Sequence, residues 1–277
     1  MLPFKKHTAL YDDPKAHHYK LIISYDGTTF WGWQAHSSLP TIELALHNAL
    51  FHLLQKPFHL MATSRTDAGV HAKGQCVKLS AIEELTSNPV RRLNALLPAS
   101  IAVISCEQTT AQFHPSLDAI EKSYIYTVST SSSAHIPLHR HYQWHPGFPK
   151  FCPILARNKI KEATTLLLST SDFTSLTNRL PDGKISNPQR KVFKITSTFS
   201  TSEQTLTFLV QGDSFSYKMV RNIVGSLVAL IYGRLSIEQF KEGLTHGRRD
   251  LMGPTAPAHG LILLEIQFGS PSLKERT

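Results

Sequence analysis

The sequence lacks the common signatures of disulfide-framed folds, cysteine-based metal sites and nucleotide-binding loops. Its three cysteines stand far apart and form no CxxC pair, which argues against a disulfide framework and against zinc sites built on cysteine pairs. No GxGxxG motif follows a strand-like segment, and no GxxxxGKS or GxxxxGKT motif occurs. These absences exclude a dinucleotide fingerprint and a phosphate loop.

A histidine-rich segment is the one place that resembles a metal site, with His135, His139, His141 and His145. It contains no carboxylate or thiolate at ligand spacing, and two prolines interrupt any helix that would align the rings. We interpret it as a polar loop and predict no bound metal.

Long apolar segments are also missing. Residues 1–19 carry charged side chains and no apolar stretch of signal-peptide type, and the most apolar run, Ile223–Gly233, is about half of a membrane span. We therefore expect a soluble, cytoplasmic protein with no membrane partner.

What the chain does contain is a folded-protein composition with a basic excess. Of 277 residues, 41% are hydrophobic and 18% charged, and 29 basic residues exceed 20 acidic ones by nine. The hydrophobic and charged fractions predict a protein with a sizeable core. The net charge of +9 favours a polyanionic partner such as nucleic acid, although a soluble protein can be basic without one.

Short alternating strands separated by helical patterns predict an α+β or mixed α/β fold, and we favour α+β. A strand should end at Asp26-Gly27, and a helix should follow Pro40 with Thr41 as its N-cap. A long helix is predicted over Phe215–Tyr232, capped by Asp213 or Ser214. We place the domain boundary in the turn-rich segment Gln108–Asp118, which gives domains 1–112 and 113–277.

The densest chemistry lies in the segment from Ser64 to Ala72, which reads SRTDAGVHA. Arg65 and Asp67 are two residues apart, so in extended backbone both project to the same side. An ordinary turn begun by an aspartate beside a surface arginine is the plainer interpretation.

Two further groups combine cations with aromatic rings or polar side chains. Lys122, Tyr124 and Tyr126 share one face of a predicted strand, which is either a platform for unstacked bases or a half-buried sheet face. A polar stripe on the predicted helix comprises Lys218, Arg221, Asn222 and Gly225. This stripe either presents a cation across a cleft or is simply solvated.

Taken together, these segments resemble the tRNA pseudouridine synthase A family. The resemblance rests on five collinear segments between Tyr19 and Phe268: YDGT with GWQ from Tyr25 to Gln34, RTDAGVHA from Arg65, KSYIY from Lys122, MVRNIVG from Met219, and APAHGL from Ala256.

This resemblance implies a homodimer of chains with two ferredoxin-like halves, whose antiparallel or mixed sheets join across a central basic cleft. It implies isomerisation of uridine to pseudouridine at positions 38, 39 and 40 of the tRNA anticodon stem-loop, without cofactor or metal. Asp67, Tyr124, Arg221 and Arg65 would be the catalytic residues. Tyr124 and Arg65, together with Lys122 and Lys218, would bind the substrate.

Two departures from the family pattern affect expected RNA contacts. Ser64 replaces a usual glycine, and the segment Phe113–Leu117 lacks the arginine common there. A catalytically inactive tRNA-binding protein is one alternative, and the intact Asp67, Tyr124 and Arg221 argue against it. A metal-dependent nuclease is another, and the scattered acidic residues argue against it.

Overall fold

The computed structural model describes residues 7–36, 38–131, 137–147 and 151–269. These residues form a mixed α+β protein with eight strands and five α-helices, which confirms the predicted fold class. Contacts divide the chain into two compact units, Met1–Ile120 with Leu263–Thr277, and Glu121–Ile262. The boundary between residues 112 and 113 stays a prediction.

The first unit is an antiparallel sheet with two helices. Its elements are β1 (His17–Tyr25), α1 (Ile42–Leu54), β2 (Phe58–Ala62), β3 (His71–Ala81), α2 (Pro89–Leu96) and β4 (Ile101–Gln108). Strand β1 lies between β4 and β3, with Leu21 opposite Cys106 on one side and Val77 on the other. Strand β2 pairs with the C-terminal part of β3, and its first residue, Phe58, stands opposite Ala81.

Alternating burial explains why β1 forms a strand, since Tyr19, Leu21, Ile23 and Tyr25 are all nearly inaccessible to solvent. Helix α1 begins where the sequence predicted, because the Thr41 hydroxyl accepts the backbone N–H of Leu44 at 3.4 Å.

The second unit has a three-stranded antiparallel sheet and three helices. Its elements are β5 (Ala119–Ser129), α3 (Pro153–Ser169), β6 (Val192–Ser200), β7 (Thr205–Gly212), α4 (Met219–Ile231) and α5 (Ile237–Thr245). Strand β7 lies between β5 and β6. Tyr124 of β5 stands opposite Val210 of β7 and Tyr126 opposite Phe208. The final strand, β8 (Leu261–Phe268), belongs to the first unit from Leu263 onward.

Helix α4 begins four residues later than predicted, at Met219 rather than Phe215. The predicted cap is engaged elsewhere, since the Asp213 carboxylate accepts the backbone N–H of Lys191 at 3.1 Å. The Ser216 hydroxyl likewise donates to the Asn187 carbonyl at 2.8 Å. These bonds to the preceding segment hold residues 213–216 outside the helix, and Lys218 at the N-cap has a φ of +61°.

Sequence analysis did not predict β2 or α5. Helix α5 does carry a readable start signal, because Ser236 and Gln239 form a capping box in which each side chain bonds the other's backbone N–H. Among the helices of the described ranges, none has the length and apolar composition needed to cross a bilayer.

Candidate active site

The loop that carries Asp67 is a fixed turn between β2 and β3. The Asp67 carbonyl accepts the N–H of Val70 at 3.1 Å, and Gly69 has a φ of +78°, which glycine adopts without strain. Burial alternates before the turn: Arg65 is exposed, Thr66 buried and Asp67 partly buried. This alternation agrees with the expectation that Arg65 and Asp67 project to one side, away from the buried Thr66.

Buried Thr66 is the anchor of this loop. Its hydroxyl lies 2.8 Å from the hydroxyl of Tyr25, a residue at the end of β1. Its carbonyl accepts the backbone N–H of Trp33 at 3.0 Å. Because both partners are themselves buried, the residue directly before Asp67 has a defined position.

Two glycines allow the YDGT–GWQ segment to pack directly against the loop backbone. A Cβ at Gly32, which has a φ of +87°, would lie 2.6 Å from the Thr66 carbonyl oxygen, and one at Gly27 would lie 2.0 Å from the Val70 carbonyl oxygen. Such distances are far below van der Waals contact, so larger residues at these positions would displace the loop. The two segments that carry much of the family resemblance are therefore parts of one local structure.

A histidine at the start of β3 completes this structure. The N–H of Gly27 donates to Nδ1 of buried His71 at 3.0 Å, which leaves the proton of the neutral ring on Nε2. Asp26 Oδ1 lies 3.1 Å from the same nitrogen and accepts the N–H of Thr28 at 2.9 Å. Asp26 therefore caps its own turn, and it becomes an ion-pair partner of His71 only when that ring is protonated.

The segment without the expected arginine folds back on β2. The Ser116 hydroxyl donates to the Thr63 carbonyl at 3.3 Å, close to the start of the Asp67 loop. His114 Nδ1 accepts the backbone N–H groups of Ser116 at 3.2 Å and Leu117 at 3.1 Å. The serine thus serves a local structural role where a longer basic side chain is common in the family pattern.

In the second unit, the candidate residues of β5 are buried. Lys122, Tyr124 and Tyr126 have exposures of 8%, 7% and 0%. The Tyr124 ring packs edge-on against Phe215 with 5.3 Å between centroids. Burial and the positive charge of Arg190 lower the pKa of Lys122 to about 8, against the opposing effect of Asp213.

Arg221 binds the APAHGL segment through both its side chain and its backbone. Its Nε donates to the Ala256 carbonyl at 2.8 Å, and its own carbonyl accepts the Ala256 N–H at 3.1 Å. The hydroxyl of Tyr126 donates to the neighbouring Pro257 carbonyl at 2.8 Å. Burial raises the pKa of Tyr126, while the Arg221 charge opposes that rise. Arg221 and the KSYIY strand therefore meet at this segment.

Close backbone packing holds the same segment against α4. A Cβ at Gly225 would lie 1.7 Å from the Pro254 carbonyl oxygen, and one at Gly253 would lie 2.6 Å from the Gly225 carbonyl oxygen. The glycine of the predicted polar stripe thus serves helix packing rather than solvent contact.

A buried polar network, which sequence analysis missed, lies beside Arg221. Its centre is Asn222, which is fully buried. Asn222 Nδ2 donates to the Leu176 carbonyl at 2.8 Å, and its Oδ1 accepts Nη2 of Arg249 at 3.0 Å and the hydroxyl of Thr255 at 2.6 Å. Burial lowers the pKa of Arg249. At Asn222 the predicted stripe is therefore neither solvated nor open to a cleft. The signal available in the sequence was a polar residue in a mostly apolar helix.

The remaining candidate, Lys218, precedes α4, and its ammonium lies 4.9 Å from the centre of the Tyr217 ring. Arg65 and Asp67 thus belong to the first unit, and Lys122, Tyr124, Lys218 and Arg221 to the second. Each unit brings its own candidates onto neighbouring elements.

The described portions of the chain contain no group of three or more His, Cys, Asp or Glu residues placed to hold a metal ion. His135 of the histidine-rich segment lies outside the described residues, whereas His139, His141 and His145 lie within them.

Comparisons with known proteins identify the same family as the motifs. A family model described as tRNA pseudouridine synthase matches residues 163–269. A tRNA pseudouridine synthase A 2 of Protochlamydia amoebophila is 35% identical over 251 residues, which cover 90% of this chain and 93% of that protein. The tRNA pseudouridine synthase A proteins of Maridesulfovibrio salexigens and Bacillus pumilus are 32% and 33% identical, covering 90% of this chain and 90% and 98% of their own lengths.

Proposed function

This chain belongs to the tRNA pseudouridine synthase family, and we propose that it isomerises uridine to pseudouridine at positions 38, 39 and 40 of the tRNA anticodon stem-loop. The reaction breaks the N1–C1′ bond, rotates the base and joins C5 to C1′. The proton lost from C5 is balanced by one gained at N1, so neither an oxidant nor an energy source is required.

The observation that carries the proposal is the Asp67 loop itself. It presents a partly buried carboxylate beside the exposed Arg65, on a backbone held by buried Thr66 and by two glycine contacts. A carboxylate fixed in this way is suited to covalent or base catalysis, because positioning lowers the entropic part of the barrier.

In the proposed site, Asp67 acts in its ionised form with Tyr124 and Arg221. Two routes fit a carboxylate in this role: attack on a carbon of the nucleotide, or removal of a proton from the sugar. Arg221 would keep the carboxylate charged, because a guanidinium pairs with both carboxylate oxygens. The Tyr124 ring would support the detached uracil, and its phenol could relay the C5 proton.

Binding would rest on cations that contact phosphates. A target uridine in a stem-loop must leave its stack, which costs a few kcal/mol, and Arg65 is exposed next to Asp67 to stabilise that state. Lys122 and Lys218 would add to substrate binding, and the net charge of +9 supplies attraction that does not depend on sequence. The active form would be a cytoplasmic homodimer; full activity from a monomer, as sized by light scattering, would contradict the dimer.

The test is tritium release from tRNA labelled at uridine C5, measured with purified protein in EDTA and again with added magnesium. Stoichiometric tritium release without metal supports isomerisation. Strand cleavage that EDTA abolishes would identify a metal-dependent nuclease, and tight tRNA binding with no release would identify an inactive binding protein.

A further inference from the structure

The two tryptophans of the GWQ segment have opposite environments. Trp33 is 2% exposed and packs 6.5 Å from the Tyr25 ring, so it belongs to the core of the first unit. Trp31 is 62% exposed. Among the large exposed hydrophobic residues of the described ranges, no other aromatic side chain is as accessible. Core packing therefore accounts for Trp33 and leaves Trp31 without a structural reason to be an indole.

The backbone around Trp31 is attached to the Asp67 loop on both sides. Before it, the carbonyl of Phe30 accepts the N–H of Gly69 at 3.2 Å. After it, a Cβ at Gly32 would lie 3.1 Å from the carbonyl carbon of Asp67. Trp31 therefore lies between two residues that each contact the Asp67 loop directly.

The backbone at Trp31 is also held in place by hydrogen bonds. Its own N–H donates to the Pro40 carbonyl at 2.8 Å, and the Gly32 carbonyl accepts the N–H of Ile42, the first residue of α1, at 3.1 Å. Because the backbone is held between a helix start and a turn, little conformational entropy is lost when a ligand contacts the side chain.

The surroundings of Trp31 have the chemistry of a single-stranded nucleic-acid contact. On the adjoining loop Arg65 and Ala68 are exposed. An accessible indole whose backbone contacts a loop with an exposed cation can stack on a base while that cation contacts a phosphate, and stacking accepts any base because every base has a π face.

From this arrangement we infer that Trp31 is a substrate-binding residue that stacks on an unpaired base next to the uridine held at Asp67. The inference rests on the proposed function for the identity of the RNA. Its role is ground-state binding: it holds the loop strand open beside the reacting nucleotide and takes no part in bond making.

The experiment compares Trp31→Phe and Trp31→Leu with the wild type. The substrate is an unmodified anticodon stem-loop transcript with uridine at position 39. Leucine keeps apolar area without a π face, so KM should rise about tenfold while kcat stays within about twofold. Phenylalanine should keep KM within about threefold of the wild type. The matched control is Ile104→Ala, which removes a side chain that is 57% exposed on β4 of the same unit; its kinetics should be unchanged.

A fluorescence arm is independent of the chemistry. Stacking should quench emission when the stem-loop is added to the wild type, this quench should be lost in Trp31→Phe, and a blunt RNA duplex without unpaired bases should not produce it. Quenching in a wild type that makes no pseudouridine would retain the Trp31 contact and overturn only the proposed function. An unchanged KM in Trp31→Leu, or a stem-loop that leaves the emission of the wild type unaltered, would overturn the inference.

Discussion

The two units position their candidate residues by different means. In the first unit Asp67 lies on an irregular loop, partly accessible, with its anchor Thr66 buried beneath it. In the second unit Arg221 lies on a regular helix beside the fully buried Asn222. A loop residue can be changed chemically without removing packing, whereas the polar groups beside Arg221 are part of the core. Substitutions in the first unit should therefore affect turnover more than stability, and those in the second the reverse.

The largest expected effect is that of Asp67→Asn. Turnover should fall at least about 10⁴-fold, because asparagine keeps the shape but cannot act as nucleophile or base. The thermal unfolding midpoint should not change, and tRNA affinity should stay within a few-fold because phosphate contacts dominate binding. Tritium release, thermal unfolding and filter binding measure the three quantities, with the exposed Glu83→Gln of the same unit as control. A lowered midpoint would show that the loop carboxylate is structural.

Asn222→Ala should give the opposite profile. It removes the side-chain donor to the Leu176 carbonyl and the acceptor that Arg249 Nη2 and the Thr255 hydroxyl share, so we expect the free energy of unfolding to fall by about 3 kcal/mol. Urea unfolding provides the measurement. Asn158→Ala is the matched control, because that asparagine is exposed on α3. Equal stability of the two variants would show that the buried network does not stabilise α4.

Titration of Lys122 should produce a smaller, pH-dependent effect. Its pKa of about 8 lies below that of an unfolded lysine, so between about pH 8 and pH 10.4 the unfolded chain binds more protons. Stability from this residue should therefore increase as pH rises, by about 1–2 kcal/mol between pH 7.5 and 9.5. Urea midpoints at both values, for wild type and Lys122→Met, isolate the contribution. A variant with the pH dependence of the wild type would show that Lys122 is not the titrating group.

Tyr25→Phe should lower stability only slightly and should separate the role of the loop anchor from the stability of the fold. Loss of the hydroxyl that meets Thr66 should cost about 1 kcal/mol, with a fall in turnover because Thr66 precedes Asp67. Tyr19→Phe on the same strand removes a similar bond, from the Leu85 N–H at 2.9 Å. Both should lose similar stability in urea unfolding, and only Tyr25→Phe should lose tritium release. Equal turnover in the two variants would contradict the anchoring role of Thr66.

Local patterns predicted those elements whose signals are contained within a few residues. The alternation in β1 and the Thr41 cap of α1 were recognisable because burial and capping follow from neighbouring positions. The start of α4 was predicted wrongly for a related reason. Asp213 is a good N-cap by type, but it bonds the backbone of Lys191, 22 residues earlier in the chain, and no local signal reports that partner.

The sequence by itself determined the α+β class, the Asp67 turn and, through its motifs, the family, because these depend on short-range periodicity and on residue order. Only the tertiary structure showed that Asn222 is the centre of a buried network, that Gly225 makes room for the Pro254 carbonyl, and that Trp31 is exposed while Trp33 is buried. These properties depend on which distant segments meet. An indole or an amide has the same local preferences in either setting, and it is the packing around it that makes it part of the core or a surface for a substrate.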